Sequence, residues 1–435
     1  MEEFYITLVA LAVGLVLIGL RVPVGLALGT ISVVGIGVLA SWSTAFDLFS
    51  STAYDVIANW ELSAIPMFLL MGELAFNTGL TKDLFRAARL WVSWLPGGLA
   101  VATNFACAGF AAASGSSLAT TITMGRIALP EMQRYGYKDS LACGSVASAG
   151  TLGSLIPPSI QMIIIGIFAQ ISILKLFIAA IIPGILTAIV FAGLIVIRCI
   201  INPSLAPRDD VKATWAERFR SLSGIWPLPF LVLGVIGSLY AGIVTPTQAG
   251  AIGATLTLSL ALLRGQASLT GLRNALQNTL TSTISIFLIV IGAVLLSRLF
   301  IFGNVPDVLL ELVSQHIQSK YVVMLIAICV YLVLGMFLDP VGIVLLTLPI
   351  FIPIFDSLGF NLVFIGIIIV KLTEIGLLSP PVGMNVFAVK TLRPEVPLGV
   401  IFKGAAWFMV ADLLIIAALI AFPSIVLFLP EFMGL

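Results

Sequence analysis

The residues with the clearest chemical potential form an oxygen-rich motif inside a long apolar segment. Residues 111–123 read A-A-A-S-G-S-S-L-A-T-T-I-T, so hydroxyl side chains surround a glycine. A chain turn at membrane depth leaves backbone carbonyls unpaired, and it survives only where it is buried in protein or lines a cavity. Carbonyl and hydroxyl oxygens are hard ligands that suit Na⁺ better than a thiophilic metal. The motif therefore predicts a cation site, although small residues also permit close helix packing in membranes.

Two further motifs nearly repeat each other. Residues 153–161 read G-S-L-I-P-P-S-I-Q, and residues 376–384 read G-L-L-S-P-P-V-G-M. In both, a glycine precedes two prolines, which break a helix because proline lacks an N–H and its ring clashes with the preceding turn. Helix breaks at corresponding places in two halves of a membrane protein indicate a transporter's binding site.

The two motifs lie 223 residues apart, and the same shift relates much of the chain. Four of the six prolines between residues 11 and 165 fall on prolines under this shift. It also places Asp339, in L-D-P-V-G, opposite Ser116 of the first motif. Asp339 is either a cation ligand or a helix cap, since Pro340 suits a first helical position. The chain is therefore predicted to be a duplicated protein with one hairpin tip and one broken helix in each half.

Composition assigns the 435-residue chain to the membrane. Hydrophobic residues make up 60% and charged residues only 9%, against about 25% charged in soluble domains. A formal net charge of +1 gives no indication of nucleic-acid binding. The four cysteines lack metal-binding spacing, and no HExxH, GxSxG or phosphate-loop motif is present. We therefore predict no enzyme activity and no nucleotide-driven transport.

Apolar runs predict an all-α fold with ten membrane crossings and two re-entrant hairpins. The hairpins are expected at 98–131 and 322–355, which are too long for one helix and are broken near their middles. Amphipathic stretches at 81–92 and 304–318 precede the hairpins and are expected to lie in the interface. The crossings are expected near 4–20, 23–40, 60–78, 138–171, 173–198, 224–243, 245–263, 281–300, 361–391 and 399–422.

Basic residues predict the orientation. With the N-terminus outside, 17 of the 21 basic residues fall on the cytoplasmic side, the exceptions being Lys175, Arg298, Lys320 and Lys371. The positive-inside rule favours this arrangement. Five crossings separate the start of one repeat from the next, so the repeats are expected to have opposite orientation.

Charges at membrane depth need a separate explanation because they are costly there. Lys371 and Glu374 are three residues apart on one predicted helix, immediately before the second break. They are either functional or simply neutralise one another as an i, i+3 pair.

At this point the motifs resemble a known family. The segment S-G-S-S-L-A-T-T-I-T-M-G-R-I-A-L-P-E-M at 114–132, I-P-M-F-L-L-M-G-E-L-A at 65–75 and E-I-G-L-L-S-P-P-V-G-M-N at 374–385 are similar to the large membrane subunit of TRAP (tripartite ATP-independent periplasmic) transporters. The resemblance covers essentially the whole chain. It implies an inverted-repeat, elevator-type transporter in the bacterial inner membrane, driven by Na⁺ as the coupling ion.

The resemblance also implies partners, a substrate class and a domain organisation. A small four-helix membrane subunit and a periplasmic substrate-binding protein are expected, with membrane lipid around the chain. The substrate is expected to be a small carboxylate such as a C4-dicarboxylate, sialic acid, or another sugar acid or keto acid. The expected segments are scaffold helices and interfacial arm of repeat 1 (1–95), hairpin 1 and broken helix of the transport domain (96–200), cytoplasmic connector (201–223), scaffold helices and arm of repeat 2 (224–320), hairpin 2 and second broken helix (321–398), and C-terminal membrane helix (399–435).

Site residues follow from matching the family's motifs to positions in this chain. Substrate is expected between the two tips. The implied first Na⁺ site comprises Ser114, Ser116, Gly153, Ile156 and Pro158, mainly through backbone carbonyls. The internal shift then assigns a second site to Asp339, Gly376, Ser379 and Pro381. The implied substrate-binding residues are Ser117, Thr120, Thr121, Pro340, Met384 and Asn385.

Two other functional classes stay open. One is a stand-alone Na⁺/divalent anion symporter of similar inverted-repeat architecture that needs no binding protein. The other is a channel or a purely structural membrane subunit, in which a Na⁺ gradient would not drive uptake.

Overall fold

The computed structural model describes residues 2–77, 80–207, 214–316 and 319–434, and within these ranges every regular element is a helix. A helix satisfies its own backbone hydrogen bonds, which is what a chain in lipid requires. The first repeat forms α1 (Glu2–Gly19), α2 (Val24–Leu39), α3 (Trp42–Ala58), α4 (Ala64–Asn77), α5 (Leu80–Val92), α6 (Gly98–Ser114), α7 (Ser117–Arg134), α8 (Asp139–Gly150), α9 (Leu152–Leu155), α10 (Ile160–Phe168) and α11 (Ile173–Ile201).

The second repeat follows the same order. Its helices are α12 (Trp215–Ile225), α13 (Pro227–Val232), α14 (Ser238–Tyr240), α15 (Pro246–Leu263), α16 (Leu269–Phe302), α17 (Val305–His316), α18 (Lys320–Gly335), α19 (Pro340–Ser357), α20 (Leu362–Gly376), α21 (Met384–Leu392), α22 (Leu398–Ala421) and α23 (Ser424–Phe432). A π-helical turn, Leu233–Gly237, connects α13 to α14.

The internal repeat predicted from the sequence is present in the fold. Shifting α7 by 223 residues reproduces the bounds of α19 at both ends, and α8 and α20 begin at shifted positions. The pairs α2 and α15, α6 and α18, and α10 and α21 agree to within a residue or two at their first residues. The duplication therefore extends from the proline pattern to the helices themselves.

Both predicted hairpins form, each turning at a helix N-cap. In hairpin 1, α6 and α7 are joined by Gly115, whose φ of 62° is a left-handed conformation that suits glycine. The Ser116 side chain then accepts a hydrogen bond from Ala119 N at 3.5 Å. In hairpin 2, between α18 and α19, Asp339 Oδ2 accepts from Gly342 N at 3.0 Å. The two tips thus use equivalent positions as caps.

Both predicted helix breaks are also present. In the first repeat, α8 and α9 meet α10 at a bend of 42°, and the Ser159 hydroxyl caps α10 by accepting from Met162 N at 3.4 Å. In the second, α20 ends before a turn in which Gly383 has a φ of 57°. The bonds Pro157–Pro158 and Pro380–Pro381 are both cis.

The two repeats pack against each other in reciprocal pairs of helices. Helix α2 packs on α16 while α15 packs on α4, and α7 packs on α21 while α19 packs on α10. Glycines allow the close approach: a Cβ on Gly25 would lie 2.5 Å from the carbonyl carbon of Leu288, and one on Gly292 would lie 2.5 Å from Gly25 O. Small residues at such crossings are typical of membrane helices.

Fewer helices are long and apolar enough to span a membrane than the ten predicted crossings. Seven described helices are long and apolar enough to span a membrane, or up to nine if each of two bent pairs is one span. Helices α2 and α20, expected within crossings 23–40 and 361–391, have 16 and 15 residues, whereas spanning takes about 20. Helix α19 passes the length test with 18 residues although it is half of a hairpin.

One helix was not expected, and another is longer than expected. Helix α3 has no counterpart among the predicted crossings, and α16 begins at Leu269 rather than near residue 281. Ser268 starts α16 by accepting a hydrogen bond from Gly271 N at 2.9 Å. The polar first turns of α16 obscure its start, because hydropathy marks only the apolar part of a helix.

The connector between the repeats is described on both sides of residues 208–213, which lie outside the described ranges. Beyond this gap, α12 packs against α5, the predicted interfacial helix. The Trp91 ring meets Trp215 and Phe219 edge-on, with centroids 6.4 and 5.7 Å apart. Trp91 Nε1 also donates to Arg218 O at 3.2 Å. The amphipathic elements at this end of the molecule therefore form one layer.

Candidate ion and substrate site

The tip of hairpin 1 packs directly on the first helix break. Ile160 N, at the start of α10, donates to Gly115 O at 3.3 Å. A Cβ on Gly115 would lie 2.9 Å from Pro158 O, and one on Gly153 would lie 2.5 Å from Ser116 O. Glycine is required at both positions because backbone approaches backbone. The junction gathers carbonyl oxygens from two elements, which is the kind of ligand a Na⁺ site needs.

Four of the five residues predicted for the first Na⁺ site lie at this junction. Ser114 Oγ is 2.7 Å from Thr120 Oγ1, which in turn donates to Ser116 O at 2.8 Å. Ile156 is extended, with φ −86° and ψ 124°, and its side chain packs towards Gly184 of α11. The structure thus brings Ser114, Ser116, Gly153 and Pro158 together and places Ile156 at the edge of the group.

The four residues predicted for the second site are more dispersed. Asp339 caps α19, whereas Gly376 packs against the backbone of Gly335, which a Cβ on Gly376 would approach to 2.5 Å. The Ser379 hydroxyl donates to Ile375 O at 3.0 Å within its own turn, and Pro381 is exposed. Among the described residues, no hydrogen bond joins Asp339 to Gly376, Ser379 or Pro381. Close helix packing accounts for Gly376, and the cap accounts for the present geometry of Asp339.

A cavity of about 440 Å³ lies between the two hairpin tips. Its wall also includes both helix breaks and one face of α16. Helices α7 and α19 both begin at this cavity, so their positive N-terminal ends favour an anionic group. Asp339 is the charged residue among the described lining residues, which are Leu69, Gly115, Ser116, Ser117, Leu118, Ser154, Ile160, Gln161, Thr281, Ser282, Ser285, Ile286, Ile289, Asp339, Pro340, Val341, Leu377 and Met384.

The predicted substrate-binding residues divide into two groups. Ser117, Pro340 and Met384 line the cavity. The others lie behind its wall, fully buried: Thr120 bonds to the tip backbone, Thr121 Oγ1 donates to Ser117 O at 2.9 Å, and Asn385 Nδ2 donates to Ala147 O at 3.2 Å. These three side chains stabilise the wall through hydrogen bonds to backbone carbonyls and do not line the cavity.

Hydroxyl groups of α16 complete the wall, and sequence reasoning missed them. Thr281, Ser282 and Ser285 line the cavity opposite the tips. Thr281 and Ser285 donate to carbonyls one turn earlier in their own helix, at 2.9 and 3.0 Å, which leaves hydroxyl oxygen lone pairs available as acceptors. Four hydroxyl residues within the five positions 281–285 (T-S-T-I-S), at the start of an apolar run, were the available signal.

Lys371 has a different partner from the one expected. It is 1% exposed and forms an ion pair with Asp412 of α22, which is fully buried, while its Nζ also donates to Thr187 Oγ1 of α11 at 3.1 Å. Of the two alternatives for these charges, an ion pair between Lys371 and Glu374 is therefore not formed. Glu374 instead accepts a hydrogen bond from Ser117 of hairpin 1. Asp412 was overlooked, although a single acid inside an apolar helix is itself a signal.

Comparison with known sequences identifies the family. The family described as "Tripartite ATP-independent periplasmic transporter, DctM component" matches residues 11–425. The chain belongs to this family. Among curated relatives of this TRAP large permease, the C4-dicarboxylate TRAP transporter large permease protein DctM of Pseudomonas aeruginosa is 34% identical over 88% of this chain and 89% of its own.

Two other relatives show the range of the family. The ectoine TRAP transporter large permease protein TeaC of Halomonas elongata is 32% identical over 98% of each chain. The sialic acid TRAP transporter large permease protein SiaM of Vibrio cholerae is 28% identical over 90% of this chain and 91% of its own. These relatives are transport permeases, and with its apolar spans this TRAP large permease is a multi-pass membrane protein.

Solved structures support the same fold. The Alcanivorax borkumensis YdaH transporter superposes with a TM-score of 0.59 at 15% identity, covering 88% of this chain and 90% of its own. Neisseria gonorrhoeae MtrF superposes with a TM-score of 0.52 at 14% identity, covering 87% and 85%. At such identities the likeness extends to the fold alone, which for the TRAP large permease is that of an all-α membrane transporter.

Proposed function

We propose that the chain carries out Na⁺-coupled secondary uptake of a small organic carboxylate. The observation that supports this most directly is the cavity between the two hairpin tips, bounded by both helix breaks. Paired tips and breaks enclosing one cavity are the arrangement expected of a transporter with a central site. Membership of a transporter family agrees with this proposal.

The ligands available around the cavity support the proposal of Na⁺ coupling. Ser116 O, Pro158 O and the Ser114 hydroxyl supply hard oxygens at the first junction, where we place the first Na⁺. Asp339 supplies a carboxylate at the second tip, where we place the second Na⁺. An acid at membrane depth needs a cationic partner to remain charged, and Na⁺ would provide one.

The carboxylate substrate is proposed to bind through helix ends and hydroxyls. The described residues lining the cavity include no lysine, arginine or histidine, so a substrate anion would be held by the N-termini of α7 and α19 and by bound Na⁺. Relatives of similar identity are named for C4-dicarboxylates, ectoine and sialic acid. The proposal is therefore for the class of small carboxylates.

An elevator movement is proposed because the cavity lies between two different groups of helices. Hairpins and broken helices supply most of its wall, and α16 supplies the opposite face. We propose that segments 96–200 and 321–398 move as a transport domain against a scaffold formed by segments 1–95 and 224–320. The N-terminus is proposed to be periplasmic, with the connector in the cytoplasm of a bacterial inner membrane.

Voltage would contribute to such transport. Two Na⁺ entering with a monoanion move a net charge of +1 inward, which gains about 2.3 kcal/mol per 100 mV before the Na⁺ gradient is counted. With a dianion the voltage contribution vanishes, so the charge of the substrate decides how strongly uptake depends on membrane potential.

The proposed partners are a small four-helix membrane subunit and a periplasmic binding protein that delivers the substrate. The decisive experiment reconstitutes both membrane subunits in proteoliposomes and presents candidate acids on their binding proteins. Uptake should require an inward Na⁺ gradient and the binding protein. Uptake of free substrate would favour the stand-alone symporter, and uptake that ignores the Na⁺ gradient would favour a channel.

The first helix break offers a mutational test of the same proposal. Replacing Pro157 and Pro158 with alanine should allow α9 to continue towards α10 and withdraw the carbonyls of the break. We expect Na⁺-dependent uptake to be lost while the protein still inserts and purifies. Pro430→Ala, within α23, is the matched control. Normal uptake in the double variant would indicate that the break serves helix packing and does not bind Na⁺.

A further inference from the structure

Glu374 is a buried acid that the proposed transport mechanism does not use. Glu374 lies in α20, two residues before that helix ends, and is 1% exposed. Its Oε2 accepts a hydrogen bond from Ser117 Oγ at 2.5 Å. Ser117 also meets Ser154 of the first break, with hydroxyl oxygens 2.9 Å apart and Ser117 N donating to Ser154 Oγ at 3.2 Å. Three segments distant in sequence thus converge on this carboxylate.

Glu374 forms no ion pair with the described residues. Four charged side chains are buried in the described part of the chain: Lys371, Glu374, Arg393 and Asp412. Arg393 pairs with Asp139 and Glu395, and Lys371 pairs with Asp412. Lys371, one turn away on the same helix, attracts Glu374, but Asp412 repels it, so this accounting leaves Glu374 as one buried negative charge without an ion-pair partner. Such a charge is costly to bury unless it is paired.

One carboxylate oxygen also lacks a hydrogen bond. Glu374 Oε1 is buried and has no hydrogen-bond partner among the described residues. An unsatisfied buried acceptor carries its full desolvation cost. The neighbouring groups are oxygen atoms: the Ser117 and Ser154 hydroxyls and Thr151 O, which lies 3.5 Å from Ser117 Oγ. A carboxylate surrounded by hydroxyl and carbonyl oxygens is a suitable environment for a hard monovalent cation.

A path to this position exists from the cavity. Ser117 and Ser154 both line the cavity between the tips, while Glu374 lies directly behind Ser117. The 223-residue shift aligns Glu374 with Thr151, so the other repeat has no acid at the equivalent place. The buried acid therefore occurs in only one of the two repeats, unlike the two tip sites, which are related by the repeat.

We propose that Glu374, Ser117 and Ser154 form an additional Na⁺ site, separate from the two tip sites and reached from the cavity. The inference rests on the proposed Na⁺ coupling and extends it by one ion. A cation here would neutralise the unpaired carboxylate and connect the start of α7 in one repeat to α20 in the other. Occupancy would thus fix the tip of hairpin 1 relative to the second repeat.

The test is equilibrium binding of ²²Na⁺ to the purified complex of large and small membrane subunits. Glu374→Gln keeps the size of the side chain and an acceptor for Ser117 but removes the charge. We expect the number of Na⁺ bound at saturation to fall by one relative to the wild-type complex. Glu131→Gln, at a partly exposed ion pair with Arg89, is the matched control and should bind the wild-type number.

An unchanged Na⁺ number in Glu374→Gln would overturn the proposal and indicate that a proton neutralises this acid. If the variant does not purify, Ser154→Ala removes one oxygen ligand without altering charge. It should then raise the Na⁺ concentration for half-saturation of one site at least several-fold, and an unchanged titration would overturn the proposal. Failure of the wild-type complex to bind any Na⁺ would instead refute the broader Na⁺-coupled function.

Discussion

The buried pair of Lys371 and Asp412 is predicted to be a strong determinant of stability. Both side chains are essentially inaccessible, at 1% and 0% exposure. Thr187, which accepts a hydrogen bond from Lys371 Nζ, is neutral and cannot replace either charge. Lys371→Met would leave Asp412 without its cation, and removing one partner of a buried pair costs about 3–5 kcal/mol. Since folding free energies are only about 5–15 kcal/mol, such a loss should be easy to detect.

The double variant Lys371→Met/Asp412→Leu removes both charges and should be far less destabilised, because replacing a buried pair by apolar residues is often neutral. Reversible unfolding in mixed micelles, followed by tryptophan fluorescence, gives the free energy of each variant. Thr187→Val is the control and should cost about 1.5–3 kcal/mol, as expected for one hydrogen bond to a charged group. Additive losses in the double variant would refute the reasoning, since they would mean that the two residues act independently.

Three further predictions concern the site and the orientation. Gly153→Ala places a Cβ 2.5 Å from Ser116 O, so uptake should fall sharply, whereas Gly193→Ala, which meets nothing within 4 Å, should transport normally. Asp339→Asn should raise the Na⁺ concentration for half-maximal uptake if the acid binds Na⁺; an unchanged Na⁺ titration would reduce it to a cap, because asparagine caps equally well. A cysteine at position 204 should resist membrane-impermeant thiol reagents in intact cells, and strong external labelling would invert the predicted topology.

The sequence predicted the architecture well where a local pattern carried the information. Proline and glycine mark both hairpin tips and both breaks, because each has a backbone property that no other residue shares. Helix lengths were predicted less well. Helix α3 is amphipathic and α16 begins in polar turns, so neither boundary coincides with a change in hydropathy.

The site was predicted in part for the same reason. Oxygen-rich tips are local motifs, and the structure places Ser117 and Pro340 at one cavity. The bond from Ser117 to Glu374 joins the two repeats, and the pair of Lys371 with Asp412 joins α20 to α22. Such partners depend on how helices pack, which periodicity along one chain does not specify. The i, i+3 spacing of Lys371 and Glu374 suggested that they pair with each other, whereas in the folded protein Lys371 pairs with Asp412 and Glu374 with Ser117.

The reciprocal packing of the two repeats has a consequence for biosynthesis. Helix α2 meets α16 where Gly25 faces Gly292. The ribosome makes the second glycine 267 residues (292 − 25) after the first, or roughly 13–53 seconds later at typical rates of synthesis. During that interval the amino-terminal helices occupy the bilayer with their closest packing faces against lipid. The first repeat can therefore reach its final packing only after the second repeat has been inserted into the membrane.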